Sequence, residues 1–164
     1  MKTVKEVVAE LMKNGAKEIK NVTIKNVTVT VLDSYTRLGL TLDKEVPGFR
    51  QNEAGEYEEG TTRVVFASAY SIGALLKDND DAAFAANHLM KHPDALGMIM
   101  SRAKIDIVQQ HVKAGEEYRN PFANDEAEAV VFDHDTIVNH VVSLNLSDFG
   151  KSRLERLADM MLGF

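Results

Sequence analysis

Six cations, Arg37, Lys44, Arg63, Lys104, Lys113 and Arg119, fall on or beside segments with strand-like alternation, and Tyr35, Tyr57, Tyr118 and Phe122 stand near them at strand ends and in loops. Guanidinium and ammonium groups hold phosphates, and flat ring faces stack on bases, each stacked base contributing roughly 1–3 kcal/mol. Lys25, Arg50 and Phe49 extend the set. Taken singly, each is equally an ordinary solvated charge or a loop anchor. Together, on a β scaffold, they point to binding of a single-stranded nucleic acid. Arg37 and Arg63 oppose the apolar faces of their strands, so they are expected side by side on the outer surface.

The catalytic readings fail on spacing. His88 and His92 stand i, i+4 as in zinc helices, but no Glu follows His88 and no third ligand is in register. Pro93 puts His92 at a helix end, where a cation offsets the dipole. Asp133-His134-Asp135 fits turn and cap chemistry better than a cation site. Asp78-Asn79-Asp80-Asp81 begins like a calcium loop, but Ala83 stands where Gly is needed and Leu89 where Glu is needed. There is no Walker loop, GxSxG elbow or Rossmann glycine triplet. The expectation is a protein without enzymatic activity, metal or cofactor.

The net charge of −6 weighs against a nucleic-acid partner, which usually meets a basic footprint. The field at a groove depends on local charge, however, so the question passes to where the cations gather. The chain has 164 residues, 45% of them apolar, and no cysteine, which suits one globular domain and fits a reducing compartment. It opens without the apolar stretch of a signal peptide, and no run is long enough to span a bilayer. A cytoplasmic protein is expected.

The elements that must position these residues follow from periodicity. Val4, Val7, Val8 and Leu11 make one face of a short helix, closed by Asn14-Gly15 over residues 1–15. A first strand over 19–31 carries Val22 and Ile24 on one parity and Val27, Val29 and Val31 on the other. The switch near Lys25-Asn26 predicts a β-bulge that bends the strand. Leu38, Leu40 and Leu42 alternate in a second strand, 35–46, broken by Pro47-Gly48. Residues 47–60 then form a mobile hairpin loop. A third strand over 61–70 puts Val64, Phe66 and Ser68 on one face. A helical segment, 80–101, starts at Asp80 or Asp81 as cap and turns at Pro93. Strands four (103–111, with Ile105 and Ile107 on one face) and five (136–146) flank a long loop, 112–134. Ser147 caps a final helix, 147–163, whose stripe of Leu154, Leu157, Met161 and Leu162 must pack on the rest of the chain or on a second subunit.

Without its terminal helices the order is β-β-β-α-β-β. This is the order of the OB-fold, a five-stranded Greek-key barrel with a helix between strands three and four. The expected class is mainly β with α additions (α+β), one domain with its barrel over 19–146. A non-barrel α+β sheet would have the same order.

Ser101-Arg102-Ala103-Lys104-Ile105-Asp106-Ile107, followed by Lys113-Ala114-Gly115-Glu116-Glu117-Tyr118-Arg119-Asn120-Pro121-Phe122, resembles the strand and loop of phage-encoded OB-fold single-stranded DNA-binding proteins. Asp78 to Phe84 and Phe132 to Ile137 look similar to segments of crAss-like phage members of that group. The resemblance implies stoichiometric, largely sequence-independent binding of single-stranded DNA in phage replication or repair. Replication proteins are the further partners it allows, while the apolar stripe of the C-terminal helix allows a homo-oligomer and the absence of a long apolar run leaves no membrane partner expected. Phe164 ends the chain without the disordered acidic tail of many such proteins. The competing expectation is a phage structural or assembly protein, or a protein-binding adaptor, on the same small barrel.

Overall fold

The computed structural model describes residues 2–33, 35–77, 83–123 and 128–161. They form α1 (Val4–Lys13), β1 (Lys17–Val31), β2 (Thr36–Gln51), β3 (Tyr57–Ser68), α2 (Ala69–Lys77), a 3-10 turn (Ala83–Ala85), α3 (Ala86–Lys91), α4 (Pro93–Met100), β4 (Lys104–Val112), β5 (Glu117–Tyr118), β6 (Val130–Val131), β7 (Thr136–Asn145) and α5 (Asp148–Met161). Five strands make one antiparallel sheet in the order β3-β2-β1-β4-β7, and β5 and β6 pair separately. The chain is therefore an α+β fold on a five-stranded antiparallel sheet. Among the described residues no helix is long and apolar enough to cross a membrane.

β1 is shared between two ladders. Lys17 to Thr23 pair with β4, and Ile24 to Val31 pair with β2. The bulge expected at Lys25-Asn26 lies between Ile24 and Asn26. A second one, between Ile19 and Val22, places Asn21 at φ 61°, a left-handed conformation that Asn tolerates better than most residues. Two carboxylates tie these bends down: Asp106 accepts from the Asn21 N–H at 2.8 Å, and Asp43 from the Thr23 N–H at 3.1 Å.

The bends coil the sheet strongly enough for strands on either side of β1 to meet. Gln109 Nε2, on β4, donates to the carbonyl of Pro47, on β2, at 2.9 Å. β7 lies against both β2 and β3. No ladder joins the β3 and β7 edges among the described residues. The concave side encloses the main core of Val22, Ile24, Leu38, Leu40, Leu42, Val65, Ile105 and Ile107, closed off by Ile72, Leu76, Leu89, Leu96 and Met100 from the helices.

Three expectations need correction. β2 does not break at Pro47-Gly48 but runs on to Gln51, pairing Pro47 with Thr61 and Gly48 with Gly60, so the turn shrinks to residues 52–56. Beyond Leu42 no residue of β2 pairs with β1, which leaves Pro47 on a strand edge where its missing N–H breaks no ladder. On β3, Val64, Phe66 and Ser68 do share one face, but that apolar face turns outward: Val65 is the buried residue, opposite Leu40, while Val64 and Phe66 are exposed. The third strand also ends at Ser68 rather than 70. There the Ser68 hydroxyl accepts from the Ser71 N–H at 3.0 Å and starts α2, which buries Ala69, Ile72 and Leu76. The helical segment thus begins near 69, not 80, and the caps expected at Asp80 or Asp81 lie outside the described residues, as does the Asp78 to Asp81 run.

Both terminal helices dock on the sheet domain. α1 sets Val7 and Leu11 against Val108 of β4, forming a second small core with Phe122 and Val142. α5 is capped as expected, the Gly150 N–H donating to Ser147 Oγ at 3.1 Å. It crosses α4 so closely that a Cβ at Gly150 would collide with the Ile99 carbonyl oxygen. Leu154 is buried and Leu157 packs on the core, whereas Met160 and Met161 stay exposed. Leu162 and Phe164 lie outside the described residues.

Candidate nucleic-acid interface

The bulge in β1 and the register of β1, β2 and β3 decide which side chains face outward. Val29, Leu38 and Ala67 stand in one row, Val27, Leu40 and Val65 in another, and these point into the core. The rows between them point out: Thr30, Arg37 and Ser68; Thr28, Gly39 and Phe66; Asn26, Thr41 and Val64. None of these outward positions is acidic.

Gly39 is the centre of this surface. A Cβ there would lie 2.5 Å from Thr28 Oγ1 and 3.5 Å from Phe66 Cε1, so the absence of a side chain lets the Phe66 ring lie across the strand. Phe66 nevertheless stays 52% exposed, and the Arg37 guanidinium sits 4.5 Å from its ring centroid. A cation over an aromatic face is an attractive pair in its own right. It also sets a phosphate donor beside a flat apolar surface large enough for a base. Tyr35, 47% exposed, precedes β2 at the end where Arg37 lies, and Tyr70, 75% exposed, follows β3 at the same end.

Arg63 does not lie beside Arg37, contrary to the expected side-by-side placement, since Arg37 pairs with Ser68. It lies further along β3 at the irregularity between Thr41 and Val46, where its Nη1 donates weakly to the Asp43 carbonyl at 3.5 Å. Lys44 is exposed in that same irregular stretch of β2. Lys104 is exposed at the start of β4, opposite Thr23 and Asn145. Lys113 and Arg119 are exposed at the far end, along the 112–135 connection.

That far end is built differently. Tyr57, at the start of β3, stacks on His134 with ring centroids 3.7 Å apart and planes 6° from parallel. Phe49 meets His111 at 5.4 Å. Tyr118 is half-buried near Phe132, and burial pushes its hydroxyl up to about 12. Phe122 belongs to the small core under α1 and lies 5.0 Å from the His140 ring. The hairpin tip and the long connection therefore do meet, but their aromatic faces are turned on each other. Glu53, Glu56, Glu58 and Glu59 are all exposed at this tip. A phosphate backbone would meet repulsion there.

His88 and His92 face each other at 4.3 Å, and His134 Nδ1 bonds Asp133. Among the described residues no group of three or more His, Cys, Asp or Glu side chains comes close enough to hold a metal ion. Phe66 as the exposed ring, and the outer β1 row of Asn26, Thr28 and Thr30, were not among the expected binding residues. The one signal for Phe66 was a glycine opposite it, which only the strand register reveals. No family model, curated protein or solved structure matches this chain.

Proposed function

We propose that this protein binds single-stranded DNA without turnover, largely independently of sequence, across the outer face of β1, β2 and β3. The observation that carries the reading is the acid-free surface centred on Phe66, half-exposed on a strand and held under the Arg37 guanidinium. A net charge of −6 is compatible with it because the field at this surface depends on local charge, and none of its outward rows carries a carboxylate. The strand order β3-β2-β1-β4-β7, with helices between β3 and β4, agrees with an OB-like barrel. Proteins with this barrel bind oligonucleotides on the strand two and three face. On this reading the protein resembles phage-encoded single-stranded DNA-binding proteins and acts in the host cytoplasm during replication or repair.

Fluorescence anisotropy with labelled oligo(dT), at several salt concentrations, tests this. Binding should weaken with salt, with a slope of log affinity on log salt of about −0.7 per phosphate contact. No binding at low salt would overturn the function.

A further inference from the structure

The bare outer face does not stop at β1. From Lys25 to Val31 no strand pairs with β1 on the side away from β2 among the described residues, and α4 lies along that side. A groove of about 370 Å³ follows this edge. Asn26, from an outward row, and Val27 and Val29, from inward ones, line it on the β1 side, so it follows the strand's edge. Met98 of α4 and Phe149 of α5 form the opposite wall, each partly exposed at 47% and 39%. Asn26 belongs both to this groove and to the outer row with Thr41 and Val64. The two surfaces are therefore continuous.

Phe149 repeats the chemistry of Phe66. Two guanidiniums approach its ring, Arg153 at 5.3 Å and Arg102 at 5.9 Å from the centroid. Arg102 also has φ 62°, the left-handed region, at the junction where α4 gives way to β4, with its N–H donated to the Ile24 carbonyl at 2.9 Å. Glycine takes this conformation without cost and arginine does not. What arginine adds at this strained position is a cation beside an exposed ring that lines the groove. Asp94 is the acidic side chain in the lining, and Asp148 precedes Phe149 in the chain.

We infer that the groove between the free edge of β1 and helices α4 and α5 is a second contact for the same single strand, with Phe149 as stacking surface and Arg102 and Arg153 as phosphate donors. This rests on the single-strand reading above. The bound strand crosses β3, β2 and β1 over Phe66, passes Asn26, and enters the groove. Adjacent strands lie about 4.8 Å apart, so the crossing is short enough for one ligand to reach both rings.

The test is anisotropy titration of the full chain with a labelled oligo(dT) of about 12 nucleotides, within the range of roughly 4–16 covered by one OB fold. Arg102→Gly removes the guanidinium and the backbone strain together, so its Tm should equal or exceed that of the wild type while affinity falls. The log–log salt slope should flatten by about 0.7. Phe149→Leu keeps the apolar volume but not the ring face and should weaken binding about 5-fold or more without altering that slope. If Arg102→Gly lowers the Tm instead, Phe149→Leu carries the test alone. Unchanged binding by these variants, with Arg37→Ala and Phe66→Ala weakened, would overturn the groove contact and leave the sheet face standing. Losses in the groove variants alone would overturn the continuous path. No binding by the wild type would remove both readings.

Discussion

The two halves of the sheet treat their outer surfaces in opposite ways. On β4 and β7, Val108, His140 and Val142 lie beneath α1 and Phe122, and Val108 and His140 are buried. On β1, β2 and β3 the corresponding surface carries Phe66 and Val64, which no element covers among the described residues and which stay exposed. An aromatic ring left on a bare strand face keeps apolar area in water, which costs about 25 cal/mol per Å² relative to a covered one. The covered half shows that this chain can roof a sheet when only stability is at stake. The open half is the place to look for a ligand.

Variants should therefore divide by half: those on β4 and β7 should move stability and spare binding, and those on β2 and β3 should do the reverse. The largest effect belongs to His140, whose imidazole burial lowers to about 4 from the usual 6.5. The unfolded chain takes up this proton at higher pH than the folded one. Stability should therefore be full above about pH 6.5 and fall as pH drops towards 4, by about 3 kcal/mol at most. Thermal melts across that interval should show the slope, and His140→Gln should flatten it. Next, Phe122→Ala should open the small core and cost about 2–3 kcal/mol, read as a Tm lower by about 5–10 °C. At a temperature where it is folded its affinity for oligo(dT) should match the wild type. A binding loss there would break the division.

On the open half, Phe66→Ala should weaken oligo(dT) binding by roughly 1–3 kcal/mol with a Tm close to wild type. A large fall in Tm would show that Phe66 serves Gly39 and the sheet rather than a ligand. The smallest effect is expected of Arg37→Ala, which should flatten the salt slope by about 0.7 and leave the melt unchanged.

Much of the fold was legible because it rests on alternation. Leu38, Leu40 and Leu42 announce an inward row, and the change of parity after Ile24 marks the bulge that bends β1. What stayed hidden depends on partners. Val64-Val65-Phe66-Ala67 is apolar without a break, so only the pairing of Val65 with Leu40 shows which side is buried. Pro47 looked like a strand end because nothing local says that β1 has already left β2 at that point. Ala69 to Lys77 hides its helical nature because its buried stripe, the β-branched Ile72 included, has only small or aliphatic residues that a strand would accept equally. The site suffered in the same way. Loop aromatics such as Tyr57 and Phe122 looked free, yet His134 and α1, distant in sequence, cover them.

The sharing of β1 between two ladders also bears on how the molecule assembles. Its second half pairs with close neighbours in the chain, Val31 with Thr36, whereas its first half waits for residues such as Gln109, which pairs with Lys17. Closing the shorter loop loses less chain entropy, and local contacts form faster. The β1–β2–β3 meander is thus the natural nucleus, with β4 and β7 zipping onto a strand already half fixed. The proposed binding face would be complete before the far edge of the sheet arrives, and its amides should be the first to gain protection when refolding is followed by pulsed hydrogen exchange.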